Sequence, residues 1–280
     1  MATEKAKATK TKKKVAPKAT NTTKTKVTTV KAVGVTPRRD RWTGLKSVRT
    51  PLLSASVAEF VGTFLLAVMV LATRNEPIYM LFGLVGVALA VAVISGAHLN
   101  PAITIGAWVS RKVSGMRALA YVVAQVIGAM LAVVVVSAYV NNAPAIGEQA
   151  AMLGQQTPQI FKAAAIPANS GWGIFFAELL GLIVLGFAYA SAYRLRHRAL
   201  SYGFTVGAGL FVALLVAGGL AAYLTGTAVL NPAVAISVQA LSWELWPILG
   251  YVVAPVLGSV LGFGLHKLLA DTTEETTVVL

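Results

Sequence analysis

The sequence predicts an all-α membrane protein with six transmembrane helices, two re-entrant half-helices and an inverted repeat of three helices. The composition is the first observation: 56% of the 280 residues are hydrophobic and only 12% are charged. Several apolar runs approach the roughly 20 residues that span a bilayer. The second observation is a short motif, Leu-Asn-Pro-Ala, which occurs at 99–102 and again at 230–233. The third is that the two halves of the apolar region share signatures in the same order.

Residues 1–50 form a basic segment with no apolar periodicity. They hold 15 of the 24 Lys and Arg residues, opposed only by Glu4 and Asp40. Such a composition buries too little apolar surface to offset chain entropy, so we expect a disordered tail. A basic block before a first span favours the cytoplasmic side, as a solvated topology signal or in contact with anionic lipid headgroups. Nucleic acid is a weaker expectation, because Trp42 is the only aromatic residue of the tail and no recognition motif is present.

Six apolar segments follow, each bounded by polar residues, and we expect them to be the transmembrane helices. Their approximate bounds are 54–73, 78–95, 117–140, 171–193, 201–218 and 244–268. The segment 141–170 carries Asn, Gln, Pro and Gly and is expected to be an exposed loop. The expected divisions are a tail (1–50), a channel-like domain (51–269) with repeats at about 54–140 and 171–268, and a short acidic tail (270–280).

The two Asn-Pro-Ala motifs each mark the start of a short helix. Asn is a preferred N-cap, and Pro fits the first helical position because its missing N–H would be unpaired there. We expect helices from Asn100 to about 111 and from Asn231 to about 241. About 11 residues make a helix of roughly 16 Å, half of the hydrocarbon thickness. Non-helical backbone at membrane depth is tolerated beside a water-filled cavity, so the motifs predict a pore. The expected pore residues are Asn100, Pro101, Ala102, Asn231, Pro232 and Ala233.

The two halves repeat their signatures at a nearly constant spacing. The Ala-Glu pair at 58–59 recurs at 177–178, and Tyr-Val-Val-Ala at 121–124 recurs at 251–254. The Asn-Pro-Ala motifs are 131 residues apart and the Tyr-Val-Val-Ala motifs 130. Each repeat has three spans, an odd number, so the second is inserted upside down relative to the first. Such repeats place a shared site near the midplane, where the half-helices would meet N-terminus to N-terminus.

Basic residues between the spans predict the orientation. Positive charge favours cytoplasmic loops, so the two basic clusters are expected to be cytoplasmic, together with both termini. The opposite loops hold only Arg74 and Lys162. The clusters are Arg111, Lys112 and Arg117 before the third span, and Arg194, Arg196 and Arg198 after the fourth.

Facing half-helix N-termini would create a positive region at mid-membrane, because each helix start carries roughly half an elementary charge. Such a region repels cations and tolerates neutral dipoles. If the side-chain oxygen of each Asn caps its own helix, each NH2 group points to the lumen as a donor. A water that accepts from both Asn100 and Asn231 cannot accept a proton-carrying bond from its neighbour. We therefore expect protons and ions to be excluded.

Three ionisable residues are expected to support the re-entrant loops. Glu59 and Glu178 lie inside spans, where a carboxylate is costly, and we expect each to accept backbone N–H groups of a loop. His98 precedes Asn100 by two residues and is expected to tie its loop together, with direct solute contact as the alternative. No nucleophile–base pair accompanies these residues and the chain has no Cys, so the sequence predicts no catalytic residue, metal site or cofactor.

The paired Asn-Pro-Ala motifs, the paired Ala-Glu motifs and the six spans together resemble the aquaporin (major intrinsic protein) family over about 54–268. The resemblance implies a homotetramer in the plasma membrane in which every subunit has its own pore. It also implies an outer selectivity filter at Met80, Gly219, Ala228 and Val234. Family members usually have Arg at the last of these positions. Because this set has no aromatic, His or charged residue, the filter is expected to be wide and apolar.

The expected function is a passive channel for water and small uncharged solutes that excludes protons and ions. A channel mainly for glycerol or another small neutral solute is the alternative, although glycerol facilitators usually continue the second motif with Arg and Asp rather than Val234 and Ala235. A coupled secondary transporter also uses inverted repeats, but it usually needs ion-coordinating groups beyond two Glu. An enzyme, or a membrane-anchored protein that binds through its basic tail, is less favoured.

Overall fold

A computed structural model describes residues 51–277, in which every regular element is a helix. The expected basic tail at 1–50 and residues 278–280 lie outside the described part. A 3-10 turn, Tyr193–Leu195, follows α6, and a π-helical turn, Leu249–Val253, joins α9 to α10. The α-helices are α1 (Leu52–Thr73), α2 (Pro77–Val91), α3 (Pro101–Val109), α4 (Gly115–Asn141), α5 (Glu148–Met152), α6 (Gly171–Ala192), α7 (Ala199–Ala222), α8 (Pro232–Ser237), α9 (Leu245–Ile248) and α10 (Ala254–Thr277).

Five helical segments of the described chain are long and apolar enough to cross a membrane. They comprise α1, α4, α6 with its 3-10 turn, α7, and the run from α9 into α10. The sixth expected span, α2, is apolar but has only 15 residues. With α3 and α8 as the two half-helices, the predicted all-α membrane fold is confirmed.

Two helices are shorter than the sequence predicts. The second span is expected to reach 95, whereas α2 ends at Val91 and the chain turns into the loop before α3, where Gly96 is the first residue with a positive φ, 97°. The second half-helix is expected to reach about 241, whereas α8 ends at Ser237 and Gln239 has a φ of 57°. Residues in the left-handed region cannot continue a right-handed helix, so the chain leaves the helical path there.

The last span is not uniformly α-helical. Pro255 has no N–H to donate to the carbonyl of Tyr251, and the π-helical turn Leu249–Val253 lies at this point. Beyond it α10 continues to Thr277, into the segment 270–280 that the sequence predicts as an acidic tail. The backbone of that segment is therefore helical over most of its length.

Equivalent glycines let the helices of each repeat approach closely. A Cβ atom at Gly128 of α4 would lie 2.4 Å from the carbonyl oxygen of Phe60 in α1. A Cβ atom at Gly258 of α10 would lie 2.4 Å from the carbonyl oxygen of Leu179 in α6. Because only glycine permits these distances, the α1–α4 and α6–α10 crossings are related as expected for a repeat.

The linker 141–170 is more than an exposed loop. It contains α5, and after that helix Phe161 and Ile166 pack against the hydrophobic core. The backbone N–H of Ala163 donates to the carbonyl of Val238 at 2.8 Å, and that of Ala164 to Thr227 Oγ1 at 2.9 Å. The linker thus braces the loop and the end of helix α8, which its polar composition does not indicate.

Candidate pore

The two half-helices begin at asparagines whose side chains cap them. Asn100 Oδ1 accepts from the N–H of Ala102 at 2.9 Å, and Asn231 Oδ1 accepts from the N–H of Ala233 at 3.0 Å. Pro101 and Pro232 occupy the first helical positions. Since neither proline has an N–H to leave unpaired, the local sequence accounts for where both helices start.

The same two asparagines also bind each other's loops. Asn100 Nδ2 donates to the carbonyl of Leu230 at 2.7 Å, and Asn231 Nδ2 donates to the carbonyl of Leu99 at 2.9 Å. Leu99 and Leu230 both have positive φ angles, 53° and 61°. The N-termini of the half-helices therefore meet, although the chain separates the motifs by 131 residues.

These reciprocal bonds correct one detail of the sequence-based expectation. Each asparagine NH2 was expected to face the lumen as a free donor, but one of its two hydrogens is used across the interface. The carbonyls of Leu99 and Leu230 are buried and need a donor, and the opposite asparagine supplies it. One N–H per asparagine is left for a molecule in the cavity.

Each re-entrant loop is held from behind by a buried glutamate. Glu59 accepts from the N–H groups of His98 at 2.9 Å and Leu99 at 2.6 Å. Glu178 accepts from the corresponding N–H groups of Val229 at 2.5 Å and Leu230 at 2.9 Å. Both carboxylates are fully buried. These bonds have the geometry expected of loop-supporting residues.

Glu59 and Glu178 do not have the same set of partners, because Gln125 bonds to Glu59 and has no counterpart at Glu178. Its Nε2 donates to Glu59 Oε2 at 2.8 Å and to Thr104 Oγ1 at 2.9 Å, so it links α4 to α1 and α3. In the second repeat the position after Tyr-Val-Val-Ala is Pro255, which has no such side chain. Glu59 is thus held by three donors among the described bonds and Glu178 by two.

Three tyrosines fasten the loop before Asn100 through its backbone carbonyls. Each hydroxyl donates to a buried backbone oxygen, so the irregular backbone is fixed through its carbonyls as well as through the N–H groups that Glu59 binds. The second loop has a corresponding bond, from Tyr251 to the carbonyl of Thr227 at 3.0 Å. The bonds of the first loop are Tyr121 to Ser95 (2.8 Å), Tyr202 to Gly96 (2.5 Å), and Tyr189 to Ala97 (2.9 Å) and His98 (3.2 Å).

His98 is bonded through both ring nitrogens. Its Nδ1 lies 3.3 Å from Thr104 Oγ1 and its Nε2 lies 2.6 Å from the hydroxyl of Tyr193. The guanidinium of Arg196 lies 3.9 Å from the centre of the Tyr193 ring. The ring is almost fully buried yet forms part of the cavity wall. The bonds support the predicted role in holding the loop.

One cavity passes the point where the asparagines meet. Its polar wall residues begin with Asn75 on the α1–α2 turn, continue through Asn100 and Asn231, and finish with His98 and Tyr189. The other wall residues are apolar: Leu66, Val70, Met80, Leu84, Leu185, Leu210, Val229, Leu230 and Val234. A mostly apolar wall with a few spaced polar groups binds a passing solute weakly, as conduction requires.

The structure brings together three of the four positions expected to form the filter. Met80 and Val234 both line the cavity, and Ala228 is buried next to the wall residue Val229. The carbonyl of Ala228 accepts a bond from Asn75 Nδ2 at 3.1 Å. The α1–α2 turn, the start of α2 and the second loop therefore meet at one end of the cavity.

Gly219 does not join the other three. It is exposed, and a Cβ atom built on it would meet nothing within 4 Å. The residue of α7 that lines the cavity is Leu210, nine positions earlier. At about 100° per residue, nine positions turn the side chain about 900°, so Gly219 lies on the opposite face of the helix. The buried face at that end of α7 carries Ala217 and Ala221 instead.

Sequence reasoning missed Gln125, Asn75 and the tyrosine contacts. Gln125 could have been found, because a polar residue inside an apolar span is costly and indicates a specific partner. Asn75 lies in a polar turn, where an amide carries no such signal. Tyr189 and Tyr202 lie in different helices from the loop they bond, so their distance along the chain concealed the contact.

Comparison with known proteins agrees with this geometry. The family model described as major intrinsic protein matches residues 44–266. Glycerol uptake facilitator protein-like 6 of Lactiplantibacillus plantarum is 32% identical over 218 residues, which cover 73% of this chain and 93% of that protein. Aquaglyceroporin-2 of Rhizophagus irregularis is 41% identical over 150 residues, 46% of each chain. Aquaporin-1 of Homo sapiens is 33% identical over 142 residues, 50% of this chain and 48% of its own, so the chain spans about half the length of the last two relatives.

A solved structure with a similar fold is that of the aquaglyceroporin from Plasmodium falciparum. The TM-score is 0.56 with 20% sequence identity, and the match covers 77% of this chain and 96% of that one. At that identity the likeness concerns the fold alone.

Proposed function

Because this chain belongs to the major intrinsic protein family, we propose that it is a passive channel that conducts water and small uncharged solutes past its two asparagines. The observation that carries the proposal is the reciprocal bonding of Asn100 and Asn231 inside one cavity. Non-helical backbone at membrane depth is tolerated where it is buried in protein or lines a water-filled cavity, and residues of both loops line this cavity.

Proton exclusion follows from the bonds that each asparagine already makes. Its Oδ1 caps its own helix and one N–H holds the opposite loop, so the remaining N–H is the donor that each asparagine can offer to a passing water. A water that accepts from Asn100 and Asn231 is turned so that it donates to its neighbours on both sides. A continuous chain that relays a proton through this point is therefore interrupted, and the positive helix starts repel cations.

The end of the cavity where the α1–α2 turn meets the second loop determines which uncharged solutes pass. There Met80 and Val234 present apolar side chains, and neither adds a charge or a hydrogen-bond donor. An uncharged solute with a carbon skeleton can contact such a wall, whereas a filter with an arginine would be narrower and positive. We propose that glycerol and urea pass together with water.

The proposal includes an assembly and an orientation. We propose a homotetramer in the plasma membrane, with both termini in the cytoplasm and the basic tail near anionic lipids. Lys112 and Arg196 lie at the same end of the bundle, 5.9 Å and 3.9 Å from the ring centre of Tyr193. Arg74 lies with Phe161 and Lys162 at the other end. The end with the denser basic loops favours the cytoplasmic side.

Stopped-flow light scattering on proteoliposomes tests the proposal. The wild type is expected to raise water, glycerol and urea permeability above that of protein-free vesicles, with no proton leak detected by an internal pH dye. Val234→Arg is expected to reduce glycerol and urea flux more than water flux, because a long cation replaces a small apolar wall residue. Gln149→Arg places the same cation on exposed α5 and should leave all three fluxes unchanged. A wild type that conducts neither water nor glycerol, or that accumulates solute against a gradient, would overturn the proposal.

A further inference from the structure

The α1–α2 turn places an amide side chain in the wall of the cavity. α1 ends at Thr73 with Arg74 as its C-cap, and Asn75 follows with a φ of 59°, a left-handed conformation that Asn adopts more readily than most residues. The N–H of Asn75 bonds to the carbonyl of Val70 at 3.2 Å, which closes the end of α1. The backbone of the turn is therefore fixed, and it directs the side chain toward the pore.

A long-range bond fixes the position of that side chain. Asn75 Nδ2 donates to the carbonyl of Ala228 at 3.1 Å, across 153 positions of sequence. A primary amide has two N–H groups and one carbonyl oxygen. Among residues 51–277 this is the single side-chain bond found for Asn75, so it leaves a second N–H and Oδ1 on a residue that lines the cavity.

The Asn75 amide is the polar side chain at its end of the cavity. Its neighbours in the wall are Met80, Val229 and Val234, all apolar. The remaining polar wall residues are the central asparagines and, beyond them, His98 and Tyr189. A solute that enters beside Asn75 thus meets one amide side chain among apolar side chains.

We propose that Asn75 is a specificity-determining residue of the channel, and this inference rests on the proposed function. Its free N–H donates to a hydroxyl or carbonyl oxygen of a solute while Oδ1 accepts from the solute's own O–H or N–H. A small polyol or amide satisfies the side chain in this way and lays its carbon atoms against Met80 and Val234. Water also bonds to neighbouring waters, so it depends on this amide less than a polyol whose carbon atoms face the apolar wall, and it gains nothing from that wall. The arrangement therefore favours small amphipathic neutral solutes relative to water.

The ratio of glycerol to water permeability separates this role from simple bracing of the loop. Asn75→Ala is expected to lower the ratio about fivefold, the size of one neutral hydrogen bond. Asn75→Ser keeps one hydroxyl and should give an intermediate ratio; it also carries the comparison if the alanine variant does not fold. The matched control is Asn142→Ala, which removes an exposed amide that bonds only locally, to the carbonyl of Ala138 at 2.7 Å.

The measurements use the full chain in proteoliposomes, normalised to the amount of folded protein. A lower ratio in the Asn75 variants with an unchanged ratio in the control supports the inference. An unchanged ratio, or an equal fall of the glycerol and water fluxes, shows that the side chain only braces Ala228. Either result overturns the inference that Asn75 determines specificity. A wild type that conducts water but no glycerol also overturns it while the channel itself stands. A wild type that conducts neither solute defeats the proposed function instead.

Discussion

The buried glutamates give the most direct test of how the re-entrant loops are held. Glu178→Ala removes the acceptor of two buried backbone N–H groups, those of Val229 and Leu230. Each buried donor left without a partner costs about 1–3 kcal/mol, so the two together cost about 2–6 kcal/mol. Removing a carboxylate that was itself costly to bury offsets part of this, which places the expected loss in the lower half of that range.

Glu59→Ala should cost more, because Gln125 loses its acceptor in addition to the two backbone groups. Thermal unfolding in detergent, monitored by far-UV circular dichroism, measures the order of stability of these variants. At about 2–4 °C per kcal/mol for a chain of this size, both variants should unfold several degrees below the wild type. The control is Glu244→Ala, since Glu244 is exposed and caps nothing with its side chain.

The order of stability should be Glu244→Ala, then Glu178→Ala, then Glu59→Ala. Water permeability per folded protein should fall for both buried variants, because a loosened loop no longer positions its asparagine. If Glu178→Ala unfolded at the same temperature as the control, the loops would be held by something other than these carboxylates and our account of the pore would be wrong.

The remaining predictions concern helix packing and the tyrosine contacts. Gly258→Ala should lower the unfolding temperature by an amount that corresponds to about 1–3 kcal/mol, since the new Cβ would lie 2.4 Å from the carbonyl of Leu179. Gly86→Ala meets nothing within 4 Å and should be neutral or slightly stabilising; equal effects would contradict the close crossing. Tyr202→Phe removes the donor to the carbonyl of Gly96 and should cost about 1–3 kcal/mol in the same assay, with no effect counting against the contact.

The sequence predicted well those features that a local signal specifies. Asn followed by Pro is a helix start wherever it occurs, so Asn100 and Asn231 were placed correctly at the caps of α3 and α8. The odd number of spans per repeat then required the half-helices to approach from opposite faces. Helix ends were less predictable, because α8 ends where Gln239 adopts a positive φ, which its sequence does not announce.

Positions counted along a helix were the least secure. Gly219 was placed in the filter by its distance from the second motif, yet one residue turns a helix by about 100°. Gly219 lies two positions after the buried Ala217, and that shift is enough to move a side chain from one face to the other. Val234 was safer, since it directly follows its motif, whereas Met80 was counted back through the whole second span and was open to the same shift, although it does line the cavity.

The crossed bonds between the two loops have a consequence for biosynthesis. When a ribosome has delivered only the first three membrane segments, the carbonyl of Leu99 still lacks Asn231, which is translated more than a hundred residues later. The first repeat can insert in the bilayer, but its re-entrant loop cannot adopt its final conformation until the second re-entrant loop has been synthesised. Two fragments divided in the 141–170 linker and expressed together should therefore stabilise each other, and either one alone should be degraded.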